Sequence, residues 1–328
     1  MIELIKRNSF VASSFYLVVL LALWLLGRLF LPDAAADGFA GGAIAPSSVW
    51  IGRLFEPAVS AWLACALTFV AALLLTTLNY RHVFYPTGGY LLPLLYILTA
   101  AAIPSTQWFS GAQVAATGAL IGLHRLFASY KKSSGLEDLF IAAFCFSLSA
   151  ICFPPALLLL LLLPAAIFLL RPATWRDWVA VFVGGALPFA FLLLFYWLSL
   201  HDIATAAGNL YALLPSLPVA RPVFDLPVLI FWGVLVVTLF LSLASKAPSS
   251  AGARTKTVYI RIIFCLMLLL LSVGVILYPA YGCAPMSLCA IPVAAITAGY
   301  FASARNRHIK RLCGLLWLAA IVYLMINN

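Results

Sequence analysis

Charged residues are scarce in this chain, and their scarcity excludes most classes of protein. Only 9% of the 328 residues are Asp, Glu, Lys or Arg, whereas 65% are hydrophobic. Typical globular domains carry about 25% charged and roughly 45–50% apolar residues, so this chain has too little polar surface to cover a water-exposed core. An ordinary soluble protein is therefore excluded. The composition indicates an integral membrane protein that leaves few residues for polar chemistry.

The sequence motifs of common enzymes are absent as well. The chain has no phosphate-binding Walker loop, no HExxH zinc helix and no GxSxG nucleophile elbow. Its four histidines are scattered and its seven cysteines form no CxxC pair, so we expect neither a metal site nor a cofactor. We interpret the cysteines as small apolar packing residues. A disulfide between Cys283 and Cys289, the pair predicted to lie near the outer face, is the alternative.

Apolar runs bounded by charges, proline or glycine predict a single-domain, all-α bundle of about eleven transmembrane helices over residues 1–328. The segment from Asp138 to Leu170 is too long for one crossing and is split by Pro154 and Pro155. We predict a tight hairpin there, with a re-entrant pair as the alternative. The predicted spans are Val11 to Leu31, Val59 to Asn79, Gly89 to Pro104, Ala112 to Tyr130, Asp138 to Phe153, Ala156 to Leu170, Trp178 to Leu200, Leu226 to Ser245, Tyr259 to Tyr278, Met286 to Phe301, and Leu312 to Ile326.

The distribution of lysine and arginine predicts the orientation, because basic loops are retained on the cytoplasmic side. With the amino terminus inside and the carboxyl terminus outside, all of the 19 basic residues except Arg28, Arg53 and Arg221 fall on the cytoplasmic face. The same topology accounts for the net charge of +10. We therefore expect membrane lipid, and not nucleic acid, as the partner of these basic loops.

The outer face holds the residues that we consider candidates for chemistry. Its two longest segments, Pro32 to Ala58 and His201 to Asp225, are predicted to contain short interfacial helices. Carboxylates in the first segment suit a catalytic base, arginines suit a phosphate, and an acid beside a histidine suits proton handling. The catalytic candidates are Asp33, Asp37 and Glu56, and the substrate-binding candidates are Arg53, His201, Asp202, Arg221 and Asp225.

Two further features are interpreted as structural. His124 and Arg125 lie within a predicted span, but Arg125 is near enough to Lys131 for its side chain to extend to the cytoplasmic headgroups. The cytoplasmic loop from Arg171 to Trp178 has two tryptophans and two arginines, which is typical of an interfacial anchor. Gly184 and Gly185, which follow it, favour close contact between helices.

Two parts of the chain carry a resemblance. One is the stretch from Arg171 to Trp178, with Gly184, Gly185 and Pro188 after it, and the other is Asn79 to Arg81 at the end of the second span. With them the chain resembles an uncharacterised family of bacterial multi-spanning inner-membrane proteins. In layout it also resembles the GT-C glycosyltransferases, which use lipid-linked sugars and place an acidic residue in the first outer loop. Asp33, Asp37 and Glu56 match that layout in position only. The large soluble domain common in that class is missing here.

Three functions remain open from the sequence. The first is an outer-leaflet enzyme of the bacterial inner membrane that acts on a lipid-linked substrate of the polyprenyl-phosphate type. The second is a non-enzymatic membrane subunit of an envelope assembly, with other membrane proteins as partners. The third is a transporter or lipid flippase, although the predicted spans offer few polar groups near the middle of the bilayer.

Overall fold

The structure, a computed structural model, describes residues 9–30, 57–82, 91–132, 135–200, 226–244, 254–302 and 307–327. Within these ranges the chain is helical and contains no strand, which confirms the all-α prediction for the described part. Each helix coincides with one of the predicted apolar runs. The α-helices are α1 Ser9–Phe30, α2 Pro57–His82, α3 Leu91–Ala100, α4 Gly111–Ala128, α5 Leu136–Cys152, α6 Leu162–Leu170, α7 Trp175–Leu200, α8 Leu226–Ala244, α9 Arg254–Leu277, α10 Met286–Ala302 and α11 Arg307–Asn327, with 3-10 helices at Pro104–Gln107, Pro154–Leu161 and Pro279–Tyr281.

Four of the described helices are long and apolar enough to cross a membrane. They are α2, α7, α8 and α9, with qualifying stretches Val59–His82, Trp175–Leu198, Leu226–Leu243 and Thr255–Leu277. Shorter apolar helices lie in α1, α3, α10 and α11 and in the run from Pro154 to Leu170. The chain is thus a helical membrane protein, and the count of eleven crossings stays a prediction.

Contacts between helices show which helix ends lie together at each end of the described bundle. At one end, which we call the basic end, the last turn of α2 meets α4 and the first turn of α9, and the end of α6 meets the start of α5. At the opposite end, Gly111 at the start of α4 contacts Cys152 at the end of α5, and Trp24 of α1 bonds to Ala61 of α2. These contacts place the ends of α2, α4 and α6 together with the starts of α5 and α9, whereas the orientation relative to the membrane stays a prediction.

The segment after α5 forms a hairpin, as predicted from Pro154 and Pro155. The backbone N–H of Lys131 donates to the carbonyl of Leu170 at 3.3 Å, so α6 ends beside the loop that precedes α5. The first eight residues of the returning run form a 3-10 helix, which rises about 2.0 Å per residue against about 1.5 Å in an α-helix. The run from 154 to 170 is consequently roughly 30 Å long, enough for the hydrocarbon core of a bilayer.

The third predicted span differs from the structure at its end. We expected it to continue to Pro104, but α3 ends at Ala100, and residues 101–110 form a bend and a 3-10 helix. Two glutamines supply hydrogen-bond donors to carbonyls of this non-α-helical backbone. Nε2 of Gln113 donates to the carbonyls of Thr106 and Trp108 at 2.6 and 3.0 Å, and Nε2 of Gln107 donates to Ala101 at 3.1 Å. Irregular backbone at membrane depth is stable only when the protein itself supplies such partners.

The core of the bundle surrounds α10, in which every residue from Met286 to Tyr300 is buried. This helix packs against α3, α4, α8 and α9. Small residues such as Ala294 and Ala298 permit close approach of the neighbouring helices. Several threonine hydroxyl groups in the bundle bond within their own helix. Thr297 Oγ1 donates to the carbonyl of Val293 at 2.7 Å, and Thr68 and Thr99 make the same bond one turn back.

Helix α7 lies at the edge of the bundle and packs mainly against α5. A Cβ atom added to Gly184 would lie 2.5 Å from the backbone oxygen of Phe140 and 3.2 Å from Cβ of Ala143. A Cβ atom added to Gly185 would meet only Ser147 Oγ, at 3.6 Å. The predicted close contact at this glycine pair is therefore confirmed, and it depends on Gly184.

We expect Gly184→Ala to loosen the contact between α7 and α5 and to cost about 1–3 kcal/mol, the usual range for overpacking. Gly185→Ala is the matched control, because its added methyl group makes only ordinary contacts and alanine favours the helix. Both variants would be compared with the wild type by thermal unfolding in detergent. Equal melting temperatures for the two variants would contradict the assignment.

Candidate functional site

All eight residues predicted as catalytic or substrate-binding lie outside the described residues. Asp33, Asp37, Arg53 and Glu56 fall between α1 and α2, and His201, Asp202, Arg221 and Asp225 fall between α7 and α8. The two predicted outer interfacial helices lie in the same gaps. The structure therefore bears on these residues only through the helix ends that flank them.

Three of the four helices that flank these segments are linked by contacts. Helix α1 packs against α2, α3 and α11, and α11 also packs against α8. The order of contacts α2–α1–α11–α8 thus forms one row, whereas α7, which precedes the second segment, packs mainly against α5. Trp24 Nε1 donates to the carbonyl of Ala61 at 3.1 Å, and Ser60 Oγ accepts the backbone N–H of Phe109 at the same distance. These bonds fix the end of the bundle from which the two segments leave.

A buried ion pair joins the loop after α6 to the start of α7. Nη2 of Arg171 lies 3.0 Å from Oδ1 of Asp177, and the two side chains are 5% and 0% exposed. Asp177 Oδ2 also accepts the backbone N–H and the hydroxyl of Thr174, at 2.9 and 2.8 Å, which caps the first turn of α7. The Arg171–Asp177 contact is poorly aligned as a hydrogen bond, so charge attraction is its main component. The loop that was predicted to be an interfacial anchor therefore also contains a buried ion pair.

A second polar group at the basic end combines residues from four parts of the chain. We define the basic cluster as Arg81, His82, His124, Tyr130, Lys131 and Lys256. Nη1 of Arg81 lies 3.3 Å from Nε2 of His124, and Nζ of Lys256 lies 3.3 Å from Nδ1 of His82. The two imidazole rings are 5.2 Å apart and tilted against each other. Lys131 and Lys256 each lie 5.5 Å from the centre of the Tyr130 ring, within the range of a cation–π contact.

The acid nearest to this cluster is occupied by other cations. Asp138 pairs with Lys132 at 2.6 Å and with Arg125 at 3.6 Å. The side chain of Arg125 is 48% exposed, and its extension to the cytoplasmic headgroups stays a prediction. Its neighbour His124 turns inward to His82.

Sequence reasoning singled out His124 but missed its partners. His82 and Lys256 are 174 positions apart, and neither carries a motif that would associate it with the other. The available signal was that both are predicted at the cytoplasmic ends of spans, but many basic residues share that property. Only the packing of α2 against α4, together with the position of α9, brings them together.

The seven cysteines all carry free thiols, including Cys283 and Cys289, so the alternative of a disulfide between them is wrong in this structure. Among the described residues, no group of three or more His, Cys, Asp or Glu side chains is placed to hold a metal ion. The ion pairs described above, Arg171–Asp177, Lys132–Asp138 and Arg125–Asp138, all lie at the basic end.

Comparison of the chain with models of protein families, with curated proteins and with solved structures yields no match.

We expect Asp177→Ala to destabilise the protein by about 3–5 kcal/mol, because it leaves the charge of Arg171 buried without a partner. Thermal unfolding in detergent measures the effect. Arg176→Ala is the control, since Arg176 lies in the same loop but is exposed. Adding Arg171→Leu to the Asp177→Ala variant removes the lone charge and should restore part of the loss. A double variant no more stable than Asp177→Ala alone would show that the unpaired charge is not the cause.

Proposed function

We propose that this protein is an enzyme of the bacterial inner membrane that acts at the outer leaflet on a lipid-linked substrate of the polyprenyl-phosphate type. A carboxylate among Asp33, Asp37 and Glu56 acts as the base, and Arg53 or Arg221 holds the phosphate. The layout resemblance to the GT-C glycosyltransferases is consistent with this assignment.

The observation that carries the proposal is the row of helices around α11. Because α1, α2 and α8 are joined through this row, both ends of the first outer segment and the far end of the second are attached to one group of linked helices. Glu56 immediately precedes α2 and Asp225 immediately precedes α8. Residues distant in sequence are thereby connected to helices of one contiguous row, which favours a shared site.

The packed interior supports an approach of the substrate from the outer leaflet. Helix α10 fills the centre with buried apolar side chains, so the described part contains no polar path along its axis. A lipid-linked substrate needs no such path, because its lipid tail stays in the bilayer while its phosphate reaches the membrane surface. For the same reason we do not favour transport of a polar solute.

We expect at least one of Asp33→Asn, Asp37→Asn and Glu56→Gln to lower turnover by about 100-fold or more, the usual contribution of a general base. The protein would be reconstituted in liposomes with a polyprenyl-phosphate-linked sugar, and release of the polyprenyl phosphate followed by mass spectrometry. Glu137→Gln is the control, because Glu137 is an exposed acid at the basic end. Full turnover by all three outer variants would refute the assignment.

A second candidate function is a non-enzymatic subunit of an envelope assembly, and the exposed half of α7 favours it. Phe191, Phe195 and Trp197 are all exposed, and little of this helix is buried in the bundle. Aromatic residues are enriched where proteins associate. A cleft of about 380 Å³ between α7 and the run from Pro154 to Leu170 adds further apolar surface.

Site-specific photo-crosslinking tests this second function. If a partner helix covers α7, crosslinkers at positions 191 and 195 should give one adduct of the same mass in cells. Crosslinkers at Leu269 and Ile276 are the matched controls, because these α9 side chains are about as exposed as Phe191 and Phe195. Lipid adducts alone at all four positions would show that α7 faces the bilayer.

A further inference from the structure

The histidines of the basic cluster hold two cations without neutralising them. Guanidinium and ammonium groups have only donors, so Nε2 of His124 accepts from Arg81 and Nδ1 of His82 accepts from Lys256. A carboxylate in the same place would compensate the positive charge. An imidazole that accepts a hydrogen bond leaves it intact.

Asp138, at the same end of the bundle, provides a contrast because it pairs its cations with a carboxylate. That carboxylate neutralises part of the charge of Arg125 and Lys132. Among the described residues, Arg81, Lys131 and Lys256 have no carboxylate partner. Three cations at one end of the bundle thus keep their full charge.

The two imidazole rings are fixed within the bundle. His82 is buried, lies 5.8 Å from Phe127 in an edge-to-face contact, and lies 5.2 Å from His124. Phe127 in turn packs edge-to-face against Phe264 of α9. Nε2 of His82 and Nδ1 of His124 are buried and make no hydrogen bond of normal geometry within the described part. Buried polar atoms are usually satisfied, so these rings are costly to place and serve to position the cations.

The exposure of the cluster allows a ligand to reach it. The side chain of Arg81 is exposed and that of Lys256 is half-buried. Arg81 lies in the last turn of α2 and Lys256 in the first turn of α9, and basic residues at the ends of membrane helices typically lie near the lipid headgroups. Lys131 and Lys256 both contact the Tyr130 ring, each with Nζ 5.5 Å from its centre. Hydrogen-bond donors that are already held in position, together with uncompensated positive charge, suit the oxygens of a phosphate group.

We propose that the basic cluster is a binding site for a phosphate group, with Arg81, Lys131 and Lys256 as its ligands and His82 and His124 as positioning residues. The position at the helix ends favours an anionic lipid headgroup as the source of the phosphate. This site is at the end of the bundle opposite to the proposed outer site, and it does not depend on the proposed enzymatic function.

Native mass spectrometry of the full-length protein in detergent tests the proposal with three probes. They are a short-chain phosphatidic acid, the phosphatidylcholine of the same chain length, and inorganic phosphate. We expect phosphatidic acid to bind about tenfold or more tightly than phosphatidylcholine, a difference that the assay resolves readily. If inorganic phosphate binds instead and depends on the same residues, the site takes a soluble phosphate. If no probe binds in preference to phosphatidylcholine, the proposal is wrong.

Charge variants separate a defined site from the general basicity of this end. Arg81→Gln and Lys256→Gln should each weaken binding of phosphatidic acid about tenfold, whereas Lys256→Arg should retain it. Arg311→Gln is the control, because Arg311 is an exposed cation that lies outside the cluster and is predicted on the same face. Equal losses in all three glutamine variants would mean that only the overall charge attracts the lipid, and would overturn the proposal.

Variants of a positioning histidine supply a readout that a purely structural role would not change. His124→Leu removes the acceptor that holds Arg81, and should weaken binding about as much as Arg81→Gln. His124→Gln restores an acceptor oxygen and should recover most of the affinity. If the leucine variant binds like the wild type while eluting as the same monodisperse species, the positioning role is refuted.

Discussion

Polar groups inside this bundle have no water to bond with, and the rest of the structure depends on how they find partners in the protein. Hydroxyl groups such as those of Thr68 and Thr297 bond to carbonyls of their own helix. The backbone between α3 and α4 is more demanding, because ten residues leave the α-helical pattern there. Gln107 and Gln113 supply the missing donors. With these groups satisfied, the centre of the bundle can be closed by apolar contacts around α10.

The same constraint acts on charges at the basic end, where the chain uses three kinds of acceptor. Carboxylates hold Arg171 and Lys132, and the backbone carbonyl of Ser242 accepts from Arg261 at 2.6 Å at the end of α8. Imidazoles hold Arg81 and Lys256. The kind of acceptor decides whether each cation can still attract a further anion. A cation paired with a carboxylate is largely compensated and stabilises the fold, whereas one held by a neutral ring retains its attraction for an anion.

The sequence predicts features that arise from local patterns, and much less of what long-range packing creates. Apolar runs locate the helices, and Pro154 correctly marks the turn after α5. The 3-10 form of the returning run was not predicted, because hydrophobicity carries no information on the rise per residue. The contact between His82 and Lys256 depends on the rotation of two helices about their axes, which a nearly uniform apolar pattern does not encode. The outer candidates, such as Asp33 and Glu56, remain sequence predictions because they lie outside the described residues.

The closed centre of the bundle separates the two proposed sites. The basic cluster and the outer segments lie at opposite ends of helices that are roughly 30 Å long, about the thickness of the hydrocarbon core. Charges this far apart are beyond a Debye length at physiological salt. A single phosphate therefore cannot occupy both ends, and α10 blocks its passage through the described interior. If both sites bind lipid phosphates, they bind different molecules from different leaflets. A lipid bound at the basic cluster would then stabilise the bundle, or set its depth in the membrane, without taking part in a reaction at the other end.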